Sequence, residues 1–167
     1  YAVHRGDKKI WLIPIEWKFT EFYGNKDKSK EDRRGEAKGT NGKGEERLKR
    51  YSVLIDESSQ LKSLKSYAGS VYYQEPFYQL MRQTLWAENI VKHKSTEVMV
   101  ADDYLHIHVI PEGNRDLLDK RYKVSGKGME ETWREMLANQ SKYVIITPKK
   151  LMEPVAPRYP QLTSYLM

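Results

Sequence analysis

The chain has 167 residues, 39% of them hydrophobic, 11% aromatic and 31% charged, which suits one globular domain with its own core and excludes a disordered chain. The absence of cysteine removes disulfides, thiolate chemistry and the usual zinc frameworks. The formal net charge of +6 favours a polyanionic partner, while the lack of a long apolar run or a signal-peptide pattern makes no membrane span and a cytoplasmic location the expectation.

The first two β-prone runs, residues 1–5 and 10–19, flank "GDKK", a turn signal that predicts a hairpin. Residues 24–46 are charged, rich in glycine and poor in apolar side chains, and predict a basic mobile loop. Between residues 24 and 50 there are ten lysines and arginines against six acids, so much of the positive excess is concentrated there. Such a run is either a solvated insertion or a face turned to DNA. An apolar pattern resumes over residues 47–55, and a polar connector follows over 58–70. The firmest element is a helix opening at Glu75 and Pro76 and running to about Lys92, with Phe77, Leu80, Met81 and Leu85 on one stripe and Gln79, Arg82 and Gln83 on the other. Residues 104–110, "YLHIHVI", predict a strand, 129–139 a second helix, and 143–147 a short strand stopped by Pro148. A proline-bearing tail closes the chain. This order predicts an α/β domain with a mixed, partly antiparallel central sheet flanked by helices, spanning residues 1–167 as a single unit.

The residues that carry chemistry lie in "IPIEWKFTEFY". Side chains alternate along a strand, so Leu12, Pro14, Glu16 and Lys18 share one face and Ile13, Ile15, Trp17 and Phe19 the other, which is the expected core face. An acid and an amine then point the same way at the strand end, roughly 7 Å apart by the strand rise. A carboxylate beside an ammonium can hold a divalent cation on one side and a phosphate or water on the other, as metal-assisted phosphodiester hydrolysis requires.

Hairpin, Glu16, one residue, Lys18 and then a glutamine-bearing helix resembles the catalytic core of the PD-(D/E)XK, or restriction-endonuclease-like, nuclease superfamily. The segments "IPIEWKFTEFY", "PFYQLMRQTLWAENI" and "HIHVIPEGN", in that order, are similar to a group of bacterial proteins regarded as restriction endonucleases. The resemblance implies a restriction-endonuclease-like fold and a metal-dependent endonuclease that hydrolyses DNA. It implies Glu16 and the Trp17 carbonyl as ligands of Mg²⁺, with Mn²⁺ as a substitute, Lys18 as the group that polarises the attacking water, and Gln79 as a helical glutamine beside the site. Lys43, Arg47, Lys49, Arg50 and Arg82 are the expected DNA contacts, and a homodimer is the expectation for cutting both strands.

The family also places an aspartate on the preceding strand. Pairing Ala2 with Leu12 across a turn at Asp7 would put the residue facing Glu16 upstream of Tyr1, so the missing acid is expected in a longer protein. The competing expectation is a non-catalytic nucleic-acid-binding domain of the same fold with an incomplete site. On spacing alone, Glu16 and Lys18 read equally well as an ion pair at a sheet edge. His106 and His108 share a strand face but lack a third ligand nearby, which favours structural or substrate-contacting roles over a metal site.

Overall fold

In a computed structural model of the chain, the described residues are 2–3, 7–18, 20–21, 23–24, 26–31 and 42–160. They form a mixed α/β fold. Strand β1 (Ala2–Val3) pairs antiparallel with β2 (Ile10–Leu12), the two joined by a turn in which Lys8 takes a positive φ of 61° and the Asp7 carboxylate accepts from the Lys9 amide at 3.0 Å. The hairpin expectation therefore holds, with a corrected register: Ala2 faces Trp11 rather than Leu12. A one-residue slip of this kind exchanges the two faces of a strand.

Strand β3 (Ile15–Trp17) follows after Pro14, and the run expected as one strand is interrupted there. The interruption is chemical rather than geometric, because proline has no N–H to donate to the ladder. Trp11 and Leu12 pair in parallel with Asp103 and Tyr104 of β4 (Asp103–Tyr104), and Ile15, Glu16 and Trp17 pair in parallel with Ile107, His108 and Val109 of β5 (His106–Val109), at the same register offset on both sides of the break. Backbone bonds from Leu105 to Leu12 (3.0 Å) and from Ile107 to Pro14 (2.9 Å) carry the ladder across it. Strand β6 (Tyr143–Ile146) adds in parallel on the far side of β5. The result is two three-stranded sheets, β1-β2-β4 and β3-β5-β6, joined by these bonds at the Pro14 break, rather than the single central sheet the sequence predicts.

Five α-helices accompany the strands among the described residues: α1 (Lys43–Asp56), α2 (Phe77–Lys92), α3 (Arg115–Leu118), α4 (Met129–Glu135) and α5 (Pro148–Met152). Helix α2 forms where the sequence predicts it, with Pro76 as its N-cap residue and buried Phe77, Leu80, Met81, Thr84, Ala87 and Ile90 at helical spacing. Helix α1 takes in residues 43–46, which composition assigns to the basic loop. Residues 32–41, the centre of that loop, lie outside the described residues. Helix α4 ends at Glu135 rather than 139, because the chain leaves it to pair with the connector: Ala138 donates to the Gln60 carbonyl at 2.7 Å, and Leu61 bridges Leu137.

The main core gathers Tyr72, Tyr73, Phe77, Leu80 and Met81 against Trp133 and Tyr143, and a smaller cluster joins Leu12 and Tyr104 to Ala87 and Ile90. Both clusters lie on the sheet face that carries Leu12, Glu16 and Lys18. The expectation that Ile13, Ile15 and Trp17 form the core face is therefore overturned. Ile15 is 51% exposed, and Ile13 and Trp17 are only half-buried. Helix α2 packs on the face of Glu16 and Lys18, which is what buries the acid and the amine.

Candidate active site

Glu16 and Lys18 sit two residues apart on one face of the sheet, and the face alternation expected from the sequence delivers them there together. The Lys18 ammonium forms an ion pair with Glu16 Oε1, donates to Gln79 Oε1 at 2.7 Å, and lies 5.3 Å from the centre of the Tyr23 ring. Lys18 is 5% exposed, a burial that a lysine tolerates only when its charge is matched. Burial on its own would depress the amine, but hydrogen bonding and charge from Glu16, with a contribution from Tyr23, more than offset it and hold the pKa above its ordinary value. The lysine is a cation at neutral pH. The Tyr23 hydroxyl is itself shifted upward, first by burial, so it stays protonated beside the amine.

The second carboxylate oxygen of Glu16 accepts from the Gln83 side chain. Gln79 and Gln83 are four residues apart on α2, so one helix face presents two amides to the strand, one on the lysine and one on the glutamate. Gln83 was legible as the next residue on the polar stripe of Gln79, although the sequence alone gave no reason to pair it with Glu16. Glu75, just before α2, also borders the site. Its carboxyl is pushed upward by burial, partly opposed by Lys28 and Lys18, and its Oε2 has no hydrogen-bond partner. Lys28 approaches its other oxygen at 3.7 Å.

Two imidazoles complete the face. His108 is the register partner of Glu16, and His106 lies two residues before it. Both are buried. His108 Nδ1 is 2.8 Å from the Tyr143 hydroxyl, while His108 Nε2 and both nitrogens of His106 have no partner. Burial is the principal reason that both stay neutral, with pKa values lowered to about 4 for His106 and about 3 for His108.

The expected nucleic-acid contacts divide. Arg47 and Arg82 converge on one ring, their guanidinium carbons 5.5 and 5.6 Å from the centre of Tyr78. Arg47 also binds Glu31 at 2.6 Å. Lys43, Lys49 and Arg50 stand exposed on α1, where Lys49 pairs with Glu45 at 3.2 Å, and the structure does not bring them to the site.

A Mg²⁺ site needs several hard oxygen ligands. Glu16 is such a ligand in kind, but among the described residues no group of three or more histidines, aspartates or glutamates is placed to hold a metal.

The model of the family of restriction endonucleases associating with ARP matches residues 2–167. The chain belongs to this family. Membership covers nearly the whole chain and supports a nuclease-related role. No curated protein and no solved structure matches the chain.

Proposed function

We propose that this chain is a nuclease domain with a restriction-endonuclease-like core, which hydrolyses phosphodiester bonds of DNA at the Glu16–Lys18 face. The observation that carries the reading is the buried lysine held between Glu16 and Gln79, in a member of a restriction-endonuclease family. A lysine kept charged and fixed by two oxygen partners can bind a phosphate oxygen and stabilise the negative charge that develops in phosphoryl displacement. Gln79 orients that ammonium, and Gln83 orients the carboxylate.

The proposed cofactor is Mg²⁺, with Mn²⁺ as a substitute, bound by Glu16 and the Trp17 carbonyl. When bound, the metal would supply Lewis-acid activation of water. DNA is the proposed partner, and a homodimer is proposed for cutting both strands.

The test is cleavage of plasmid and single-stranded DNA, with and without divalent metal, by the protein beside its Glu16→Gln and Lys18→Ala variants. Metal-dependent cleavage lost in both variants supports the reading; cleavage that survives both substitutions removes these residues from the chemistry.

A second reading has its own support. Both oxygens of Glu16 are engaged, one by Lys18 and one by Gln83, as in an ion pair kept for structure. On that reading the domain binds nucleic acid without cutting it, and the protein retains DNA while leaving it intact under every metal condition.

A further inference from the structure

Helices α1 and α2 enclose an open groove of about 840 Å³ that begins at Gln79 and Gln83, the two amides that hold Lys18 and Glu16, and runs toward the C-terminal end of α2. Its floor and walls combine cations with rings. Tyr78 lies between Arg47 and Arg82. One turn beyond Arg82, Trp86 stands 44% exposed, and Leu54 of α1 lines the same groove at 42% exposure. Gln79, Arg82, Gln83 and Trp86 follow the spacing of one helix face, so the ring lies roughly 10 Å along the axis from Gln79.

We infer that this groove seats an unpaired DNA strand, with Trp86 stacking on a base, Arg82 on a phosphate, and the strand leading toward Lys18. The inference rests on the nuclease reading of that face and specifies the form of its substrate. The charge favours a polyanion. Arg82 has no acid partner among the described residues, and Lys28, Arg47, Arg82 and Lys92 line the groove against three acids, of which Glu88 is engaged by Ser58 and Ser59 and Glu75 lies 3.7 Å from Lys28, with Glu57 the third. A base presents its flat face to an aromatic side chain only when it is unstacked from its own strand, and exposed aromatics interleaved with cations are the general means of holding single strands. Paired bases in a duplex have no free face for Trp86.

The experiment measures fluorescence anisotropy of three labelled probes without divalent metal: an oligothymidylate, a blunt duplex of equal length, and an abasic strand with the same phosphates. The full chain is compared with Trp86→Ala and Arg82→Ala. The chain is expected to bind oligothymidylate more tightly than duplex, and Trp86→Ala to weaken that binding by about 10- to 100-fold, as loss of one stacked base does, while leaving the abasic strand unchanged. Arg82→Ala is expected to weaken both single strands and to reduce the salt slope by about 0.7. An oligothymidylate affinity that moves less than about two-fold in Trp86→Ala, or an abasic strand bound as tightly as oligothymidylate, overturns the inference. Cleavage by the full chain is scored separately. If Glu16→Gln abolishes cleavage while Trp86→Ala changes neither binding nor cleavage, the groove falls and the nuclease stands; if no probe binds and nothing is cut, both fall.

Discussion

Glu16 and His108 are register partners on adjacent parallel strands, so the carboxylate of the candidate site and a fully buried neutral imidazole lie side by side on one sheet face. The neighbouring His106 is almost equally enclosed, and neither of its nitrogens has a partner. Packing a charged residue pair against two uncharged rings makes this face sensitive to acid.

Both imidazoles have folded-state pKa values below the ordinary 6.5, about 4 for His106 and about 3 for His108. The unfolded chain therefore takes up protons that the folded chain refuses, and the stability present above pH 6.5 is lost as pH falls through the folded values. The expected loss is on the order of 2 to 3 kcal/mol for each imidazole by about pH 4.5. Urea midpoints measured between pH 7.5 and pH 4.5 check this, and His106→Leu should remove about half of the slope. A midpoint that is flat with pH in the unsubstituted protein contradicts the assignment.

Lys18 and Glu16 are each buried by the other's presence, with side chains 6% and 16% exposed. Removing only the amine leaves a carboxylate without its countercharge beneath α2. Lys18→Met is expected to cost about 3 kcal/mol, and the double change Glu16→Gln with Lys18→Met to recover part of that cost. Urea denaturation of the four proteins in this cycle gives the coupling directly; additive costs would mean that the pair is not a unit.

Gly44 lies in the first turn of α1 with its amide 2.8 Å from the Glu31 carbonyl, and a Cβ there would collide with the backbone of Ser29. A backbone cannot swing aside as a side-chain tip can, so Gly44→Ala should destabilise despite alanine's better helix propensity, by about 2 kcal/mol. Gly113→Ala, where a Cβ meets nothing within 4 Å, is the control and should be near neutral. Thermal melts of the two proteins decide between steric and propensity effects.

Glu88 accepts from the Ser58 hydroxyl (2.5 Å) and from the amide and hydroxyl of Ser59 (both 2.6 Å), fastening the connector after α1 to α2. Glu88→Ala should cost about 2 kcal/mol, since several charge-assisted bonds are lost at once. Amide exchange at Ser59 should rise more than at Leu80. Equal protection in both proteins would show that the connector is held by other contacts.

What the sequence could convey follows from the range over which its signals act. Helix α2 was legible because its apolar spacing and Pro76 are local. The alternation of residues 12–18 separates two faces, but it does not say which one a helix covers, so it puts Ile15 on the core face. The structure reverses that, exposing Ile15 and burying Lys18 beneath α2. Helix α1 escaped notice because it buries little of itself, only Gly44 and Ile55 being buried, which leaves a faint periodic signal among charges. The neighbourhood of Glu16 was hidden for a different reason: His108, Gln79 and Gln83 come from elements whose juxtaposition is a property of the sheet. Their spacing in the chain carries no trace of it.

Apart from the Lys18–Glu16 pair, the polar bonds of this face span long stretches of chain, 61 residues from Lys18 to Gln79 and 67 from Glu16 to Gln83, and the strand on which both charges sit is held by partners still further along. Loop closure over such lengths must precede any reward from the contacts themselves. During synthesis, Glu16 and Lys18 emerge early and remain in water until α2 and β5 have followed. The site is therefore assembled late, after most of the domain exists, and a nascent chain truncated before residue 109 would have the charged pair without the enclosure that fixes its geometry.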